Sequence, residues 1–381
     1  MKRISLFLLL FLLLKATVMY SQDGHPETNF RIVPVSPNAA SLGTYGLIPT
    51  DNYVGQARIS IPIYEIDLDG KKFPIALSYH TDGTRVAQEA TWIGLGWTLQ
   101  AGGCVVRQVQ GTDDFAARGC YNLTDAPWLT NPRFEVTDQN LEKYMGYFKG
   151  DYDAEPDMFY FNAGGHSGSM YFDVLKNNRQ LNAVPTIQTQ EKVVKMVYNT
   201  SNKTWTMTDL EGYVYSFSTK EITYYFLNTI DFFQTDITRS HIFPYYNEPQ
   251  IVTAWMLDSV TSPNGGKITF SYKKESIFTP ISTTEDVISL SKIVNGQLSS
   301  QSPQYFTNKF NYNYSYSKIE QWTLSAITFE GGKVEFGTTD REDIESAETG
   351  KKVQKLSSIK VSDTAGNLIK TTMLEYKYLL S

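Results

Sequence analysis

A repeated segment, made of two alternating arms joined by a glycine pair, constrains the fold of this chain most strongly. It occurs over residues 255–270 and again over 322–336, where the loop is one residue shorter. The equivalent positions are Trp255 and Gly265 in the first copy and Trp322 and Gly331 in the second. Alternation gives each arm one buried face, and adjacent glycines supply the positive φ angles of tight turns. Each copy is therefore predicted to be a β-hairpin.

Three further segments follow the same rule with looser sequence similarity, over residues 59–79, 205–217 and 356–378. The 25 tyrosines, 21 phenylalanines and 6 tryptophans of the chain also suit pleated, half-buried surfaces. The sequence therefore predicts an all-β protein. We expect an antiparallel hairpin meander that forms an extended or curled β-sheet wall, with short irregular or helical insertions such as residues 141–148.

The first residues have the layout of a secretory signal peptide. A basic start at Lys2 and Arg3 precedes an unbroken apolar run over residues 6–14, and smaller residues follow up to Ser21. The run is shorter than the roughly 20 residues that cross a bilayer, so a membrane anchor is the less favoured alternative. We predict a signal peptide over 1–21, a flexible linker over 22–42, and export to the cell surface or the medium.

Charge and ligand residues exclude several classes of function. The net charge is −6, and the 34 basic residues form no stripe of the kind that binds nucleic acid. The four histidines are scattered and there are only two cysteines, so the spacing of a zinc site is missing. No cofactor is expected. Cys104 and Cys120 leave two alternatives open, which are one disulfide worth about 3 kcal/mol in the chain-entropy model or two separately buried thiols.

An acidic cluster offers oxygen ligands of the type that calcium prefers. Its members are Asp151, Asp153, Glu155 and Asp157. An EF-hand loop needs glycine at its sixth position, where this segment has Pro156. Solvated loop acids are therefore favoured, and a calcium site is the alternative.

The glycine pair at Gly94 and Gly96 raises the question of a phosphate-binding loop. Such a loop needs a helix start directly behind it, whereas residues 98–109 are predicted to be a strand. We expect a tight turn with a buried Trp97 instead.

Two other motifs lack the context that catalysis needs. The segment 165–168 begins like a nucleophile elbow, but Ser169 stands where the last glycine belongs. Glu89 is a conceivable acid or base, yet the sequence gives it no second carboxylate at a known distance. Neither motif is taken as a catalytic site.

The order of motifs over residues 55–107 carries a resemblance to a known family. A strand with the pattern G…IPI is followed by a strand with the pattern P-x-x-L-x-Y. A turn with the pattern G-x-G-W-x-L comes next, and the strand after it contains the pattern V-x-R. This order resembles the amino-terminal region of bacterial Rhs/YD-repeat cell-surface proteins and is similar to the opening of the B component of insecticidal toxin complexes. The motif positions are Gly94, Gly96, Trp97, Gly102, Gly103 and Arg107. Residues 157–161, 168–173 and the two tryptophan hairpins resemble the next part of the surface proteins.

The resemblance implies an amino-terminal Rhs-like β module over residues 43–175 and a repeated hairpin region over 176–381. In full-length relatives such a wall continues into many YD repeats that form a shell around a carboxy-terminal payload. This sequence has no run of those repeats, no Rhs core motif and no toxin tail. We therefore expect a truncated chain or a free-standing module, whose exposed edge pairs with a continuation of the same polypeptide or with another β-rich chain.

The favoured function is a non-catalytic structural or scaffold module of an exported Rhs-like protein that acts in interbacterial or surface contact. A second hypothesis is a secreted module that binds glycans or proteins at a cell surface, with exposed aromatic rings stacking on sugars. A third is a secreted hydrolase with an unrecognised site. The sequence favours the first, because its recognisable motifs are turns and strands.

Overall fold

A computed structural model describes part of the chain. The described residues are 33–45, 58–80, 89–111, 113–116, 119–122, 141, 145–146, 153, 155–173, 182–188, 194–230, 250–280, 282–289, 293–294, 297–298 and 308–378. The predicted signal peptide and Asp151 lie outside these residues. Within them, no helix combines the length and the apolar character needed to cross a membrane.

Strands dominate the described residues. One α-helix is described, α1 (Pro37–Tyr45), together with a 3-10 turn at Cys120–Asn122. The described strands are β1 (Arg58–Leu68), β2 (Lys71–His80), β3 (Trp97–Gln100), β4 (Gly103–Gln108), β5 (Met158–Ala163), β6 (His166–Tyr171), β7 (Asn182–Ala183), β8 (Thr186–Ile187), β9 (Val194–Asn199), β10 (Thr204–Asp209), β11 (Val214–Ile230), β12 (Gln250–Thr261), β13 (Lys267–Phe278), β14 (Ser282–Ser289), β15 (Ile293–Val294), β16 (Gln297–Leu298), β17 (Asn308–Phe329), β18 (Gly332–Asp340), β19 (Gln354–Ser362) and β20 (Leu368–Met373).

The prediction of an all-β antiparallel fold is confirmed. Every pair among the described strands is antiparallel. A small sheet has the order β1-β2-β3, β15 pairs with β16, and a large sheet contains 15 of the described strands. Its main path is β7-β9-β10-β11-β17-β13-β12-β4-β5-β6-β8, with β14 and β18 attached to β17, and with β19 and β20 following β18.

All five predicted hairpins form. In the first repeat copy Val260 of β12 pairs with Ile268 of β13, and in the second Ile327 of β17 pairs with Val334 of β18. The looser copies are the pairs β1 with β2, β10 with β11, and β19 with β20. Alternation and turn glycines therefore predict these local pairs correctly.

The strand order departs from chain order because long strands change partners along their length. Ile319 of β17 pairs with Thr223 of β11 on one side and with Ile277 of β13 on the other. Farther along, β17 pairs with β18. Register shifts such as the one between Ser271 and Tyr272 accompany these changes, since a bulge lets a strand bend. The large sheet is therefore branched, and its hairpins do not follow one another as a simple meander.

Large aromatic side chains fill part of the core of the large sheet. Phe159, Phe172, Tyr198, Trp205 and Trp255 are each at most 1% exposed. The rings of Tyr198 and Trp205 lie 4.7 Å apart, and those of Trp205 and Trp255 lie 6.1 Å apart at 87°. Tilted and edge-to-face pairs of this kind add about 0.5–1.5 kcal/mol each beyond their buried area.

The flexible linker predicted over 22–42 is wrong for residues 33–42, which we call the wedge segment. Ala39 is fully buried and packs with Cys104, Ala254 and Met256 on the branched part of the large sheet. Burial of so short a segment depends on contacts that are remote in sequence, so local composition could not predict it.

The start of α1 explains why the wedge segment forms a helix. Ser36 is the N-cap, with its Oγ accepting a hydrogen bond from the Ala39 amide at 3.2 Å. Its carbonyl accepts the Ala40 amide at 2.9 Å. Pro37 occupies the first helical position, where its missing N–H and fixed φ cost nothing.

The chain divides into two compact units. One contains Met1–Ile32 and Gln110–Pro156, and the other contains Val33–Val109 and Asp157–Ser381. The strands described above all belong to the second unit. The boundary expected between residues 175 and 176 stays a prediction.

Candidate functional site

The glycine pair of the family-like motif forms a tight turn, as expected. The Gly94 amide donates to the Thr91 carbonyl at 3.1 Å, and the Trp97 amide donates to the Gly94 carbonyl at 3.3 Å. Gly94 and Gly96 have φ angles of +128° and +75°, which favour glycine. The Thr91 hydroxyl closes the turn by donating to the Trp97 carbonyl at 2.8 Å.

Two details of this motif differ from the prediction. Trp97 is half-buried, with its ring 5.2 Å from that of Tyr79, and the buried tryptophan is Trp92 at 6% exposure. The single strand expected over 98–109 is two strands, β3 in the small sheet and β4 in the large sheet, with a bend at Gly102 between them. The motif therefore carries the chain from one sheet to the other. Gly103 begins β4 opposite Ala163, where an added Cβ would overlap the β5 backbone.

Arg107 and Asp157 form a buried ion pair between β4 and the start of β5. The Arg107 Nε donates to Asp157 Oδ2 at 2.8 Å, and the terminal NH2 group contacts the same oxygen. Their side chains are 2% and 0% exposed. The guanidinium also lies 5.7 Å from the centre of the Phe159 ring. Because an unpaired charge here would be very costly, this geometry gives Arg107 a structural role.

The acidic cluster is split among different surroundings. Asp157 is committed to Arg107, and Asp153 Oδ1 accepts the Glu155 amide at 2.9 Å. Among the described residues, no group of three or more His, Cys, Asp or Glu side chains is placed to hold a metal ion. Asp151 lies outside them, so the choice between solvated acids and a calcium site stays a prediction.

Cys104 and Cys120 are free thiols in the structure, and both are fully buried. They belong to different compact units, so the choice between a disulfide and two separate thiols stays a prediction. Burial raises the pKa of the Cys104 thiol well above its ordinary value of 9.0. Its Sγ lies 4.0 Å from the Ala39 carbonyl of the wedge segment.

The two enzyme-like motifs lie in different surroundings. The segment 165–168 enters strand β6 at His166, whereas a nucleophile elbow leads into a helix. Burial raises the pKa of Glu89, while the charge of Arg341 lowers it. Arg341 itself forms an ion pair with Asp343 at 2.6 Å.

The two repeat tryptophans make equivalent contacts although their burial differs. The Trp255 indole donates to the Lys203 carbonyl at 2.8 Å, and the Trp322 indole donates to the Lys220 carbonyl at 2.7 Å. Trp255 is fully buried, whereas Trp322 is half-buried beside the wedge segment. Each tryptophan therefore ties its hairpin to another part of the large sheet.

The two repeat turns use different members of their glycine pairs. Gly265 has a φ angle of +93°, as predicted, but in the second copy the positive φ belongs to Gly332, at +148°, and not to Gly331. The shorter loop shifts the strained position by one residue.

A second charged cluster, absent from the sequence-based candidates, surrounds Asp209 at the end of β10. Asp209 Oδ2 lies 2.6 Å from Lys71 Nζ and accepts the Tyr215 hydroxyl at 3.1 Å. The Lys71 ammonium also lies 4.9 Å from the centre of the Tyr213 ring and 3.0 Å from Glu211.

Charge pairing within this cluster decides the protonation of its members. Burial lowers the pKa of Lys71, but hydrogen bonds to Asp209 and Glu211 raise it more, so its pKa lies above the ordinary 10.5. Burial and the charge of Lys71 lower the pKa of His166, which lies 3.8 Å from Asp209. Lys71 is charged and His166 is neutral at pH 7, so the cluster serves as an ion pair that joins β2 to the β10–β11 turn.

A buried carboxylate, Glu221, lies beneath the wedge segment at a register shift of β11. Its Oε1 accepts the Ser36 amide at 2.8 Å and the Thr253 hydroxyl at 3.1 Å. Within the described part of the chain its Oε2 has no hydrogen-bond partner. Burial raises the pKa of Glu221, and this outweighs the hydrogen bonds from Ser36 and Thr253 that lower it.

Sequence reasoning missed Glu221, although one signal was available. The inward-facing row of β11 contains Tyr215, Phe217, Glu221 and Thr223, all fully buried. A charged residue in an otherwise inward row indicates a special environment. Lys71 and Asp209 gave no such signal, because both stand beside turns where charged residues are common.

Comparison with known proteins gives structural neighbours only. No protein-family model matches the chain, and no curated protein matches it. The N-terminal domain of effector protein SpvB from Salmonella typhimurium strain LT2 is similar at 11% identity and a TM-score of 0.33, over 84% of this chain and 99% of that one. The family therefore stays a prediction from the sequence motifs.

Two toxin complexes are also similar in structure. One is the Tc holotoxin pore of Photorhabdus luminescens, at 9% identity and a TM-score of 0.37 over 91% of this chain. The other is the TcdB2-TccC3-Cdc42 complex, at 11% identity and a TM-score of 0.34 over 84% of this chain. This chain spans 14% of the length of each of those chains.

Proposed function

We propose that the protein is a non-catalytic structural module of an exported Rhs-like surface protein, and that its open strand edge pairs with a strand of another β-rich chain. The observation that carries this proposal is the environment of β20. Among the described strands, β20 pairs with β19 alone. Its apolar residues Leu368, Ile369 and Met373 are 62%, 57% and 69% exposed. An exposed apolar edge strand is a template for strand addition.

The hydrogen-bond pattern identifies which groups of β20 face outward. The Leu374 amide donates to the Ser357 carbonyl of β19 at 2.9 Å. Because successive residues of a strand alternate in direction, the Thr372 amide faces β19, and the amides of Thr371 and Met373 face away from it. The outward edge therefore offers backbone donors and acceptors for an additional strand.

The edge of the small sheet at β1 is protected by comparison. A register shift between Pro62 and Tyr64 leaves Ile63 as an extra, bulged residue. Lys370 Nζ donates to the Ile63 carbonyl at 2.9 Å. Bulges, prolines and lysines are common means of blocking edge-to-edge pairing. The contrast favours β20 as the docking edge.

The buried charges support a structural role. Arg107 is paired with Asp157, and Lys71 is paired with Asp209, in each case between strands or at a strand turn. These pairs position elements of the sheets.

A matched pair of variants tests the proposed docking edge. Thr371→Pro removes an outward backbone donor while leaving the β19 ladder intact, and Thr371→Ala keeps that donor. We expect concentration-dependent association of the wild-type protein and of Thr371→Ala, measured by size-exclusion chromatography with light scattering, and a monomeric Thr371→Pro. A second copy serves as the probe for the partner chain.

Two results would overturn the proposal. Wild-type protein that is monomeric at every concentration, or association that is equal in both variants, would remove β20 as the docking edge. Hydrolysis of peptide, ester or glycoside substrates that persists through purification would remove the non-catalytic part.

A further inference from the structure

A cavity of about 160 Å³ lies between the small sheet and the large sheet. The small sheet contributes Ile66, Phe73 and Ile75 to its walls, and the large sheet contributes Ile268, Phe270 and Ile327. Ile66, Ile75, Ile268 and Ile327 are at most 2% exposed. The walls of this partly open cavity are therefore formed mainly by side chains that belong to the packed core.

Two of the glycines that line the cavity lie close to aromatic rings. Gly102 has a φ angle of +93°, and a Cβ added there would lie 3.4 Å from the Phe270 ring. At Gly164, with a φ angle of +59°, an added Cβ would overlap the Tyr215 ring. The backbone thus already sits against aromatic rings at both positions. A side chain larger than glycine would therefore clash at Gly164 and crowd the Phe270 ring at Gly102.

Three neutral polar side chains interrupt the apolar walls. Thr98 and Gln100 lie two residues apart on β3 and so share one face of the small sheet. Asn162 of β5 also lines the cavity, and its Nδ2 donates to the Leu42 carbonyl at 3.0 Å. Among the described lining residues there is no Asp, Glu, Lys or Arg. A charged ligand would lose its hydration without compensation, whereas a neutral ligand with one polar group would not.

Size and lining together define a ligand class. An engineered cavity of about 150 Å³ lined by Leu, Ile and Phe stays dry and binds benzene. We propose that this cavity is a binding site for a neutral single-ring aromatic molecule that carries one hydrogen-bonding group. The ring fills the apolar space, and its polar group bonds to an amide or hydroxyl among Thr98, Gln100 and Asn162.

Two probe molecules test the ligand class on the full chain. 4-Methylphenol and toluene have similar rings, but only the phenol can form a hydrogen bond. We expect saturable binding of 4-methylphenol by isothermal titration calorimetry, a rise in Tm with ligand concentration, and at least tenfold weaker binding of toluene. Absence of saturable phenol binding would overturn the site, and equal affinity for toluene would overturn the role of the polar side chains.

Cavity-filling variants locate the binding. Ile75→Phe and Ile327→Phe place extra volume in the cavity from opposite walls, and each should abolish phenol binding at unchanged secondary structure. Two variants are used so that misfolding of one leaves the other informative. Ile369→Phe is the matched control, because Ile369 is 57% exposed on β20 and should leave binding unchanged.

Two outcomes separate this inference from the proposed function. Undiminished binding in a folded cavity-filling variant would show that the ligand sits elsewhere and would overturn the site. The inference is independent of strand pairing, so Thr371→Pro should bind 4-methylphenol as the wild-type protein does. Loss of binding in Thr371→Pro would contradict that independence.

Discussion

The wedge segment and the edge strand β20 are both short segments, but they differ in how much of their side-chain surface is buried. In the wedge segment Ala39 and Ser36 are fully buried. In β20, Leu368 and Met373 are 62% and 69% exposed. Neither segment is long enough to form a core alone. The burial of each therefore depends on whether side chains of a neighbouring sheet pack against it.

The two regions also differ in how many of their backbone groups are hydrogen-bonded within the chain. The wedge segment uses the Pro34 carbonyl, which accepts the Thr223 hydroxyl at 3.0 Å, and the Ser36 amide, which donates to Glu221. Among the described strands β20 uses only the side that faces β19. The wedge segment is bonded to partners within the chain, whereas the outward side of β20 has no strand partner among the described residues.

The largest expected effect on stability comes from removing the ion pair between Arg107 and Asp157. Arg107 belongs to β4, the strand beneath the wedge segment. Arg107→Ala removes the guanidinium that pairs with the buried Asp157 carboxylate, so we expect a loss of about 3–5 kcal/mol in the free energy of unfolding, measured by urea denaturation. The double variant Arg107→Met with Asp157→Leu should recover most of that loss. Thr371→Ala on β20 should change stability by less than about 0.5 kcal/mol, because Thr371 is exposed. Equal losses at Arg107 and Thr371 would contradict the contrast between the two regions.

A charge placed in the wedge segment should be nearly as costly. Ala39→Asp introduces a carboxylate into an apolar cluster, with an expected loss of about 3 kcal/mol or more. In a Cys120→Ser background, thiol labelling should reach Cys104 slowly in the parent and much faster in the Ala39 variant, because the wedge segment covers that thiol. Thr371→Asp on β20 is the matched control, within about 0.5 kcal/mol. Equally slow labelling in parent and variant would mean that the wedge segment does not protect Cys104.

The pH dependence of stability sharpens the account of the buried carboxylate. Because the folded-state pKa of Glu221 is raised above the ordinary 4.5, folding takes up a proton at pH values between the two. The contribution of Glu221 to the free energy of unfolding is fully present below pH 4.5. It declines by about 1.4 kcal/mol per pH unit between 4.5 and the folded pKa, and it is lost once the pH has risen through the folded pKa. Glu221→Gln lacks this decline, so the free energy of unfolding of the variant should rise relative to that of the wild-type protein as pH rises from 4 to 8. A stability difference that is independent of pH would contradict the raised pKa.

The smallest effect concerns the direction of the β20 amides. Thr371→Pro should lower the free energy of unfolding by less than about 1 kcal/mol, because its amide faces away from β19. Thr372→Pro removes a ladder hydrogen bond to β19 and should cost at least about 1 kcal/mol more. Urea denaturation of both variants at one low protein concentration measures the two free energies of unfolding. A larger loss for Thr371→Pro than for Thr372→Pro would mean that the Thr371 amide, and not the Thr372 amide, faces β19.

Local patterns predicted the parts of the fold that depend on neighbouring residues. The hairpin of β12 and β13 follows from alternation and from Gly265, which are both local. The branched strand order could not be predicted, because partner changes in β17 depend on β11 and β13, which precede it by many residues. The cluster around Asp209 was missed for the same reason, since Lys71 is 138 residues away.

Amide hydrogen exchange followed by mass spectrometry tests the central contrast most directly, because one experiment reports on both regions. In dilute protein we predict slow exchange for peptides from the wedge segment and fast exchange for peptides that cover β20. At concentrations where the protein associates, exchange in β20 should slow while that of the wedge segment stays the same. Strong protection of β20 in the dilute monomer, or no change in β20 on association, would contradict the account.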